Sequence, residues 1–167
     1  MYFTSNHDEN SWNKADFETM PGASHAPFAV FTQTMVRGVP LIYSGQEEPV
    51  LRALEFFEKD PMTFGKFQRA AFYKTLLNLR KRNVALAANA SFRKVNVGDD
   101  KALYAFVREK NGKKVFVILN LSNQQQQVKV TDNKLLGNPY NVFAGRKELL
   151  RNKQWMIKPW GYVVYEY

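Results

Sequence analysis

Hydrophobic and polar positions follow two different periods along this chain. In the first half, Phe28 and Phe31 share one helix face, and a longer helical pattern covers residues 64–82. The continuous apolar run 39–44 between them is typical of a parallel strand that is covered on both faces. With a short β-prone run at 1–5, this half predicts the order strand, helix, strand, helix.

From about residue 90 the period changes to two. Runs of β-prone residues at 102–108 and 113–120 flank Asn111-Gly112, a dipeptide that favours a two-residue hairpin turn. Further strand candidates are found at 91–97, 125–130, 141–143, 155–157 and 161–167. Closely spaced strands of this kind predict an antiparallel β-sandwich or open barrel. We therefore divide the chain into an α/β part, residues 1–88, and an all-β part, residues 89–167.

The α/β part is too short to close a barrel of its own. A (β/α)8 barrel needs about 250 residues, whereas residues 1–88 hold two or three βα units at about 30 residues each. Two parallel strands that are apolar on both faces do not cover each other. We therefore expect this part to belong to a larger barrel, and we expect self-association through its uncovered apolar surface.

Composition excludes several classes of function. The chain has no cysteine, which removes disulfides, thiol nucleophiles and cysteine zinc sites. The net charge of +9 is spread along the chain, and its densest group, Arg80-Lys81-Arg82, ends a helix where cations are favoured, so we expect no nucleic-acid partner. No apolar run approaches the roughly 18 residues of a membrane span. The first residues lack a signal-peptide pattern, which leaves the compartment open.

The candidate chemistry lies in residues 3–8, Phe-Thr-Ser-Asn-His-Asp. His7 and Asp8 lie where the first predicted strand runs out into a predicted loop, and the carboxyl ends of parallel strands are where ligands bind in α/β folds. A His-Asp pair at such a position is also a common structural hydrogen-bonding element. The residues alone leave both interpretations open.

Two segments resemble motifs of the alpha-amylase family of glycoside hydrolases. Residues 3–8 resemble the Phe-x-x-x-His-Asp motif at the end of the seventh barrel strand, and residues 38–47, Gly-Val-Pro-Leu-Ile-Tyr-Ser-Gly-Gln-Glu, resemble the eighth strand. Residues 56–86 are similar to the final barrel helix. The resemblance implies an α/β plus all-β chain, with strand 7, helix 7, strand 8 and helix 8 of a (β/α)8 barrel before an antiparallel β-sandwich domain.

The resemblance also implies a function, the retaining hydrolysis of α-glucosidic bonds in starch or maltodextrin. In that family Asp8 would grip two sugar hydroxyls in the −1 subsite, and His7 would donate to a neighbouring hydroxyl. Asn6 adjoins the pair as a substrate-binding candidate. The nucleophilic Asp and the proton-donating Glu belong to strands four and five, which this chain lacks, so we expect it to be inactive alone. Glu47 matches a family position that we interpret as structural.

Metals and aromatic residues complete the expectations. We expect no metal and no cofactor in this chain, because the calcium sites typical of the family lie mainly in an earlier domain. Trp12 is a candidate platform for a sugar ring, with simple packing as its alternative. His25, at a helix start, is expected to be solvated or capping. The aromatic residues of the last strands are interpreted mainly as core, namely Trp155, Trp160, Tyr162 and Tyr165.

Two other functions compete with starch hydrolysis. The first is a noncatalytic carbohydrate-binding β module, which the aromatic-rich second half would provide. The second is a member of the same family that carries out transglycosylation or α-1,6 hydrolysis.

Overall fold

The computed structural model describes residues 1–35, 37–151 and 154–167. The α-helices are α1 (His7–Trp12), α2 (Asp16–Thr19), α3 (His25–Thr34) and α4 (Ala70–Arg82). Short 3₁₀ turns occur at Gly22–Ser24, Val84–Leu86 and Asn133–Leu135. The strands are β1 (Ser91–Val95), β2 (Leu103–Lys110), β3 (Lys113–Asn120), β4 (Gln126–Lys129), β5 (Tyr140–Asn141), β6 (Arg146–Lys147), β7 (Gln154–Ile157) and β8 (Tyr162–Glu166).

The strands form two antiparallel sheets. Six of them pair in the order β1-β2-β3-β8-β5-β6, and β4 pairs with β7. The predicted hairpin is confirmed: Lys110 pairs with Lys113, and Asn111 and Gly112 have φ angles of 51° and 72°. Two successive positive φ angles are what a type I′ turn requires.

The six-stranded sheet lies between two other layers. Alternate residues of β3 point to opposite faces: Phe116 faces the core under the β4–β7 pair, and Val117 faces the core under α3 and α4. In that second core, Leu76 and Leu79 of α4 pack with Phe106 of β2. The expected antiparallel sandwich is thus present, with helices on its outer face. The division of the chain at residue 88 stays a prediction.

A buried arginine ties the helical layer to the sheet. The guanidinium of Arg108 on β2 donates to the carbonyl oxygens of Thr34 (2.7 Å), Ala87 (2.6 Å) and Ser91 (3.0 Å). These carbonyls lie at the end of α3, in the connection after α4 and at the start of β1. Burial lowers the pKa of Arg108 to about 10, and the neighbouring Arg80 adds to this shift. One side chain therefore holds three segments together.

The two predicted parallel strands of the first half are reduced to a single bridge. Tyr2 pairs in parallel with Pro40, through bonds from Tyr2 N to Val39 O (3.0 Å) and from Leu41 N to Tyr2 O (2.8 Å). The prediction of full strands at 1–5 and 39–44 was wrong. No further strand lies beside either segment within the described residues, and an isolated parallel pair has little to stabilise it.

The helix predicted over 64–82 begins later, at Ala70. The carboxylate of Glu48 accepts the backbone amides of Gly65 (3.1 Å), Lys66 (3.0 Å) and Phe67 (2.9 Å), and this holds the preceding segment in a non-helical course. Phe67 accordingly has a φ of 46°. None of the helices that the structure describes is long and apolar enough to cross a bilayer.

Candidate functional site

The His-Asp pair lies at the start of α1, not in a loop. Asn6 is extended, with a φ of −147°, and its side-chain Oδ1 accepts the backbone amide of Glu9 at 2.8 Å. Asparagine is among the best residues at this capping position. The acids Asp8 and Glu9 fall in the first turn, where negative charge complements the helix dipole. The polar sequence that was predicted as a loop therefore begins a helix.

His7 and Asp8 are open to solvent. Their side chains are 73% and 58% exposed, and His7 Nε2 lies 3.4 Å from Asp8 Oδ1. The pair is therefore not a buried structural element, and both groups are free to contact a ligand. Asn6 differs, because its side-chain oxygen is already occupied by the helix cap.

An aromatic cluster forms at the other end of α1, made of Trp12, Phe56 and Phe57. The Trp12 ring lies 4.8 Å from the Phe56 ring and 5.9 Å from the Phe57 ring, between centroids. Trp12 nevertheless stays 66% exposed. The indole is thus held by packing on one side and offers its other side to solvent.

Asn10 holds α1 against the segment that carries the two phenylalanines. It is buried, and its Oδ1 accepts the backbone amide of Leu54 at 2.9 Å. Sequence reasoning missed this residue. No local signal distinguishes it from a solvated asparagine, because its partner Leu54 lies 44 residues away in the sequence.

A largely buried polar network lies behind α1. It consists of the half-buried Thr4 and the buried Asp16, His25, Gln46 and Tyr73. The side-chain Nε2 of Gln46 donates to Thr4 Oγ1 and to Asp16 Oδ2, both at 2.8 Å. His25 Nε2 lies 2.6 Å from the Tyr73 hydroxyl, and His25 Nδ1 lies 3.4 Å from Asp16 Oδ2 without hydrogen-bond geometry. The network joins five separate stretches of chain.

The expectation that His25 is solvated or capping was wrong. The residue is 2% exposed, and Ser24, which precedes α3, donates its hydroxyl to Pro21 O and does not cap the helix with its side chain. Burial and, to a lesser extent, the positive charge of Arg69 lower the pKa of His25 to about 4, and Asp16 acts against both. Burial also raises the pKa of Tyr73. The imidazole is therefore neutral at pH 7.

The two glutamates after residue 46 are tied to backbone. Glu47 Oε2 accepts the amide of Gly45 at 3.1 Å, as expected of a structural residue. Glu48 is the stronger clamp, and the amides of Phe67 and Lys66 lower the pKa of its carboxyl. Among the described residues, no group of three His, Asp or Glu side chains is arranged to hold a metal ion.

The aromatic residues of the second half belong mainly to the core. Tyr165 is buried and donates its hydroxyl to Glu148 Oε2 at 2.9 Å. The Tyr162 ring lies 4.8 Å from that of Phe143, and Trp155 packs on the core beneath β4 and β7.

Comparisons with known proteins identify the fold and the family. Residues 103–161 match the family model described as the alpha-amylase SusG C-terminal domain. The chain is 32% identical over 143 residues to neopullulanase 2 of Thermoactinomyces vulgaris, covering 77% of this chain and 24% of that protein. It is 28% identical over 132 residues to the cyclomaltodextrinase of Thermoanaerobacter pseudethanolicus, covering 75% and 20% respectively.

Solved structures show the same fold over the whole chain. The maltogenic alpha-amylase AmyB of Thermotoga neapolitana superposes with a TM-score of 0.75 at 17% identity, over 100% of this chain and 40% of that one. The alpha-amylase of Lactobacillus plantarum gives a TM-score of 0.77 at 18% identity, over 100% and 38%.

The fold is therefore that of a segment of alpha-amylase-type proteins. The chain belongs to the alpha-amylase family, as its two motifs predicted. It spans about a quarter of the length of the curated relatives it matches.

Proposed function

We propose that this chain supplies part of the sugar-binding site of a glycosidase that hydrolyses α-glucosidic bonds in starch or maltodextrin. The observation that carries the proposal is the exposed His7–Asp8 pair at the start of α1, directly after the parallel bridge at Tyr2. In parallel α/β folds this is the edge where ligands bind. The names of the relatives, neopullulanase and cyclomaltodextrinase, support an α-glucan as substrate.

The chemistry of the pair fits a −1 subsite. An ionised Asp8 accepts charge-assisted hydrogen bonds from two adjacent sugar hydroxyls, one on each carboxylate oxygen. His7 donates to a neighbouring hydroxyl. Both contacts strengthen as the sugar ring flattens and gains positive charge, so they lower the barrier as well as binding the substrate. Asn6 contributes by capping α1, which orients the pair.

The nucleophile and the proton donor are proposed to lie outside this chain. A retaining mechanism needs two carboxyl groups about 5–5.5 Å apart on either side of the bond. The acids nearest in sequence to Asp8 and to the eighth-strand motif are engaged elsewhere: Glu9 accepts from Asn13, Glu47 from Gly45, and Glu48 from three amides. We therefore propose that the chain is inactive without an upstream barrel.

The test joins this chain to the barrel it is proposed to complete, either its own upstream sequence or that of neopullulanase 2. Asp8→Ala is expected to lower kcat/KM on maltotetraose by about 10²- to 10³-fold, the usual cost of losing one group that stabilises transition-state charge. Glu9→Gln is the matched control, since it changes an exposed acid in the same helical turn. Near-normal turnover by Asp8→Ala would refute the role.

Two further measurements define the function. The chain alone is expected to release no sugar from maltotetraose, and turnover by it would place a nucleophile within these residues. Product analysis of the complete protein then separates hydrolysis from the competing reactions: reducing sugars support hydrolysis, whereas longer oligosaccharides or cleavage of α-1,6 bonds support the other family activities.

Trp12 is proposed as a platform for a sugar ring next to the −1 subsite, because the residue is 66% exposed and follows Asp8 by one turn of α1. Trp12→Ala should raise KM for long maltooligosaccharides and leave kcat unchanged, which is the pattern for lost uniform binding. An unchanged KM would show that the indole only packs against Phe56 and Phe57 and binds no sugar.

A further inference from the structure

The side chain of Gln46 forms hydrogen bonds to residues on both sides of α1 in the sequence. Thr4 lies before α1 and Asp16 lies after it, at the start of α2. Gln46 donates from the same nitrogen to Thr4 Oγ1 and to Asp16 Oδ2, each at 2.8 Å. The two chain ends that flank His7 and Asp8 therefore meet at a single amide.

The amide of Gln46 is held in one orientation. Its Oε1 accepts the backbone amide of Tyr43 at 3.0 Å, and its two N–H groups match the two acceptors on Thr4 and Asp16. Flipping the amide would face its carbonyl toward the Asp16 carboxylate. The group is also buried, so losing one partner would leave a buried polar atom unpaired.

A second buried glutamine provides a contrast. Gln33 on α3 is as deeply buried as Gln46, but neither its side-chain nitrogen nor its side-chain oxygen has a hydrogen-bond partner among the described residues. Burial of an amide is therefore not what distinguishes Gln46. Its distinguishing feature is that it links the two ends of the segment carrying α1.

We propose that Gln46, together with Thr4 and Asp16, is a positioning residue for Asp8 and acts by fixing both ends of the segment that carries α1. This inference rests on the proposed function, in which Asp8 contacts the sugar. A displacement of about 1 Å at a group that acts in the transition state can cost on the order of 100-fold in rate. Gln46 itself touches no substrate in this scheme.

A double-mutant cycle tests the proposal in the same barrel-joined protein. Gln46→Ala is expected to lower kcat/KM by on the order of 100-fold in the wild-type background. In the Asp8→Ala background, the same change should cost about twofold or less, because the group that it positions is already gone. Gln33→Ala is the matched control; it removes a buried amide of the same size and should leave kcat/KM unchanged.

The outcomes separate the two proposals. If Asp8→Ala is nearly normal, the proposed function fails. If Asp8→Ala lowers kcat/KM but Gln46→Ala does not, the proposed function stands and the positioning role is overturned. The same conclusion follows if Gln46→Ala lowers kcat/KM by the same factor with and without Asp8. A purely structural defect would show the additive pattern.

Thr4→Val keeps the proposal testable if Gln46→Ala does not fold. It removes the hydroxyl acceptor and keeps the side-chain volume. We expect about a tenfold loss of kcat/KM that depends on Asp8, because the hydrogen bond from Gln46 to Asp16 remains.

On the chain itself, hydrogen exchange gives a second measurement. The amides of Glu9 and Asn10, both bonded to Asn6, should exchange faster in Thr4→Val while those of β2 and β3 stay protected. Unchanged exchange at Glu9 and Asn10 would contradict the proposal.

Discussion

The two halves of this chain are held together by different kinds of hydrogen bonds. In the second half, the described residues 91–151 and 154–167 form backbone ladders between antiparallel strands, and each strand finds its partner within the same part of the chain. In the first half, the described residues 1–35 and 37–69 hold one parallel bridge and three short α-helices, and side-chain hydrogen bonds fix their course. Gln46, Glu48 and Asn10 each bind backbone or side chains from distant segments.

Apolar surface is distributed in the same unequal way. Among the described residues, most of the exposed large hydrophobic side chains lie in the first half, namely Met1, Phe3, Trp12, Val39, Leu51, Phe56, Phe57, Phe64, Phe67, Leu77 and Val84. Antiparallel hairpins cover their apolar faces locally, whereas parallel strands depend on neighbours and on helices on both faces. The first half therefore leaves apolar surface exposed that further protein would cover, whereas the second half covers its own core.

The largest effect on the free energy of unfolding is expected when an aromatic ring is removed from the core between the six-stranded sheet and the helices. Phe106 is fully buried on β2, so Phe106→Ala should lower the free energy of unfolding by about 3–5 kcal/mol. Phe57→Ala is the matched change in the first half, where the ring is 79% exposed, and should stay within about 0.5 kcal/mol. Urea denaturation measures both. Equal losses would show that the two halves are equally well packed.

The pH dependence of stability should report on the buried histidine. The folded chain keeps His25 neutral down to a pKa of about 4, against an ordinary value of 6.5. Between these values the unfolded chain binds a proton that the folded chain does not. Stability should therefore fall as the pH is lowered from about 6.5 to about 4, by on the order of 2–3 kcal/mol, with no further change from this group below.

The second histidine of the chain provides the control for this effect. The groups that face His25 are Asp16, Tyr73 and Arg69, and His25→Gln should abolish the fall in stability between pH 6.5 and 4. His7→Gln changes an exposed ring and should leave it intact. If His7→Gln abolished the fall in stability between pH 6.5 and 4 and His25→Gln did not, the pH dependence would not come from the buried His25.

Sequence reasoning succeeded where the determinants were local. Asn111-Gly112 selects a turn whose twist suits the flanking strands, so the hairpin was predicted from two residues. It failed for His25, because its partner Tyr73 lies 48 residues away and its burial depends on four other segments. Arg108 was missed for the same reason, since its acceptors lie outside its own strand pattern.

The candidate site shows the same limit. The pair His7–Asp8 was found by its resemblance to a family motif. Asn6 was a sugar-binding candidate, but its capping role follows from local chemistry, since Asn before an acidic first turn favours a helix start. Gln46 and Asn10 carry no local signal that distinguishes them from solvated polar residues. Their importance comes from contacts across 30 and 44 residues of chain.

Substitutions at two glycines, Gly112 and Gly65, compare how strongly the backbone conformation restricts the side chain in each half. Gly112 has a φ of 72°, and Gly112→Val should cost about 1–2 kcal/mol, because a β-branched residue is strained in the left-handed region. Gly65 lies in the first half without such a φ, and an added Cβ would meet nothing within 4 Å. Gly65→Ala should therefore be neutral or slightly stabilising. A larger loss at Gly65, measured by thermal denaturation, would contradict this order.

The smallest effect is expected from a surface substitution that weakens self-association of the chain. We propose that the chain associates through the aromatic cluster of Trp12, Phe56 and Phe57, since these rings form an apolar patch on the first half. Phe57→Ser should weaken association by about 1 kcal/mol, or roughly fivefold in Kd, when light scattering is followed against concentration. Met156→Ser alters an exposed apolar residue on β7 and should change nothing, because the second half already covers its core. If Met156→Ser weakened association and Phe57→Ser did not, the contact would lie on the β-sheet half, and the proposed difference between the halves would be wrong.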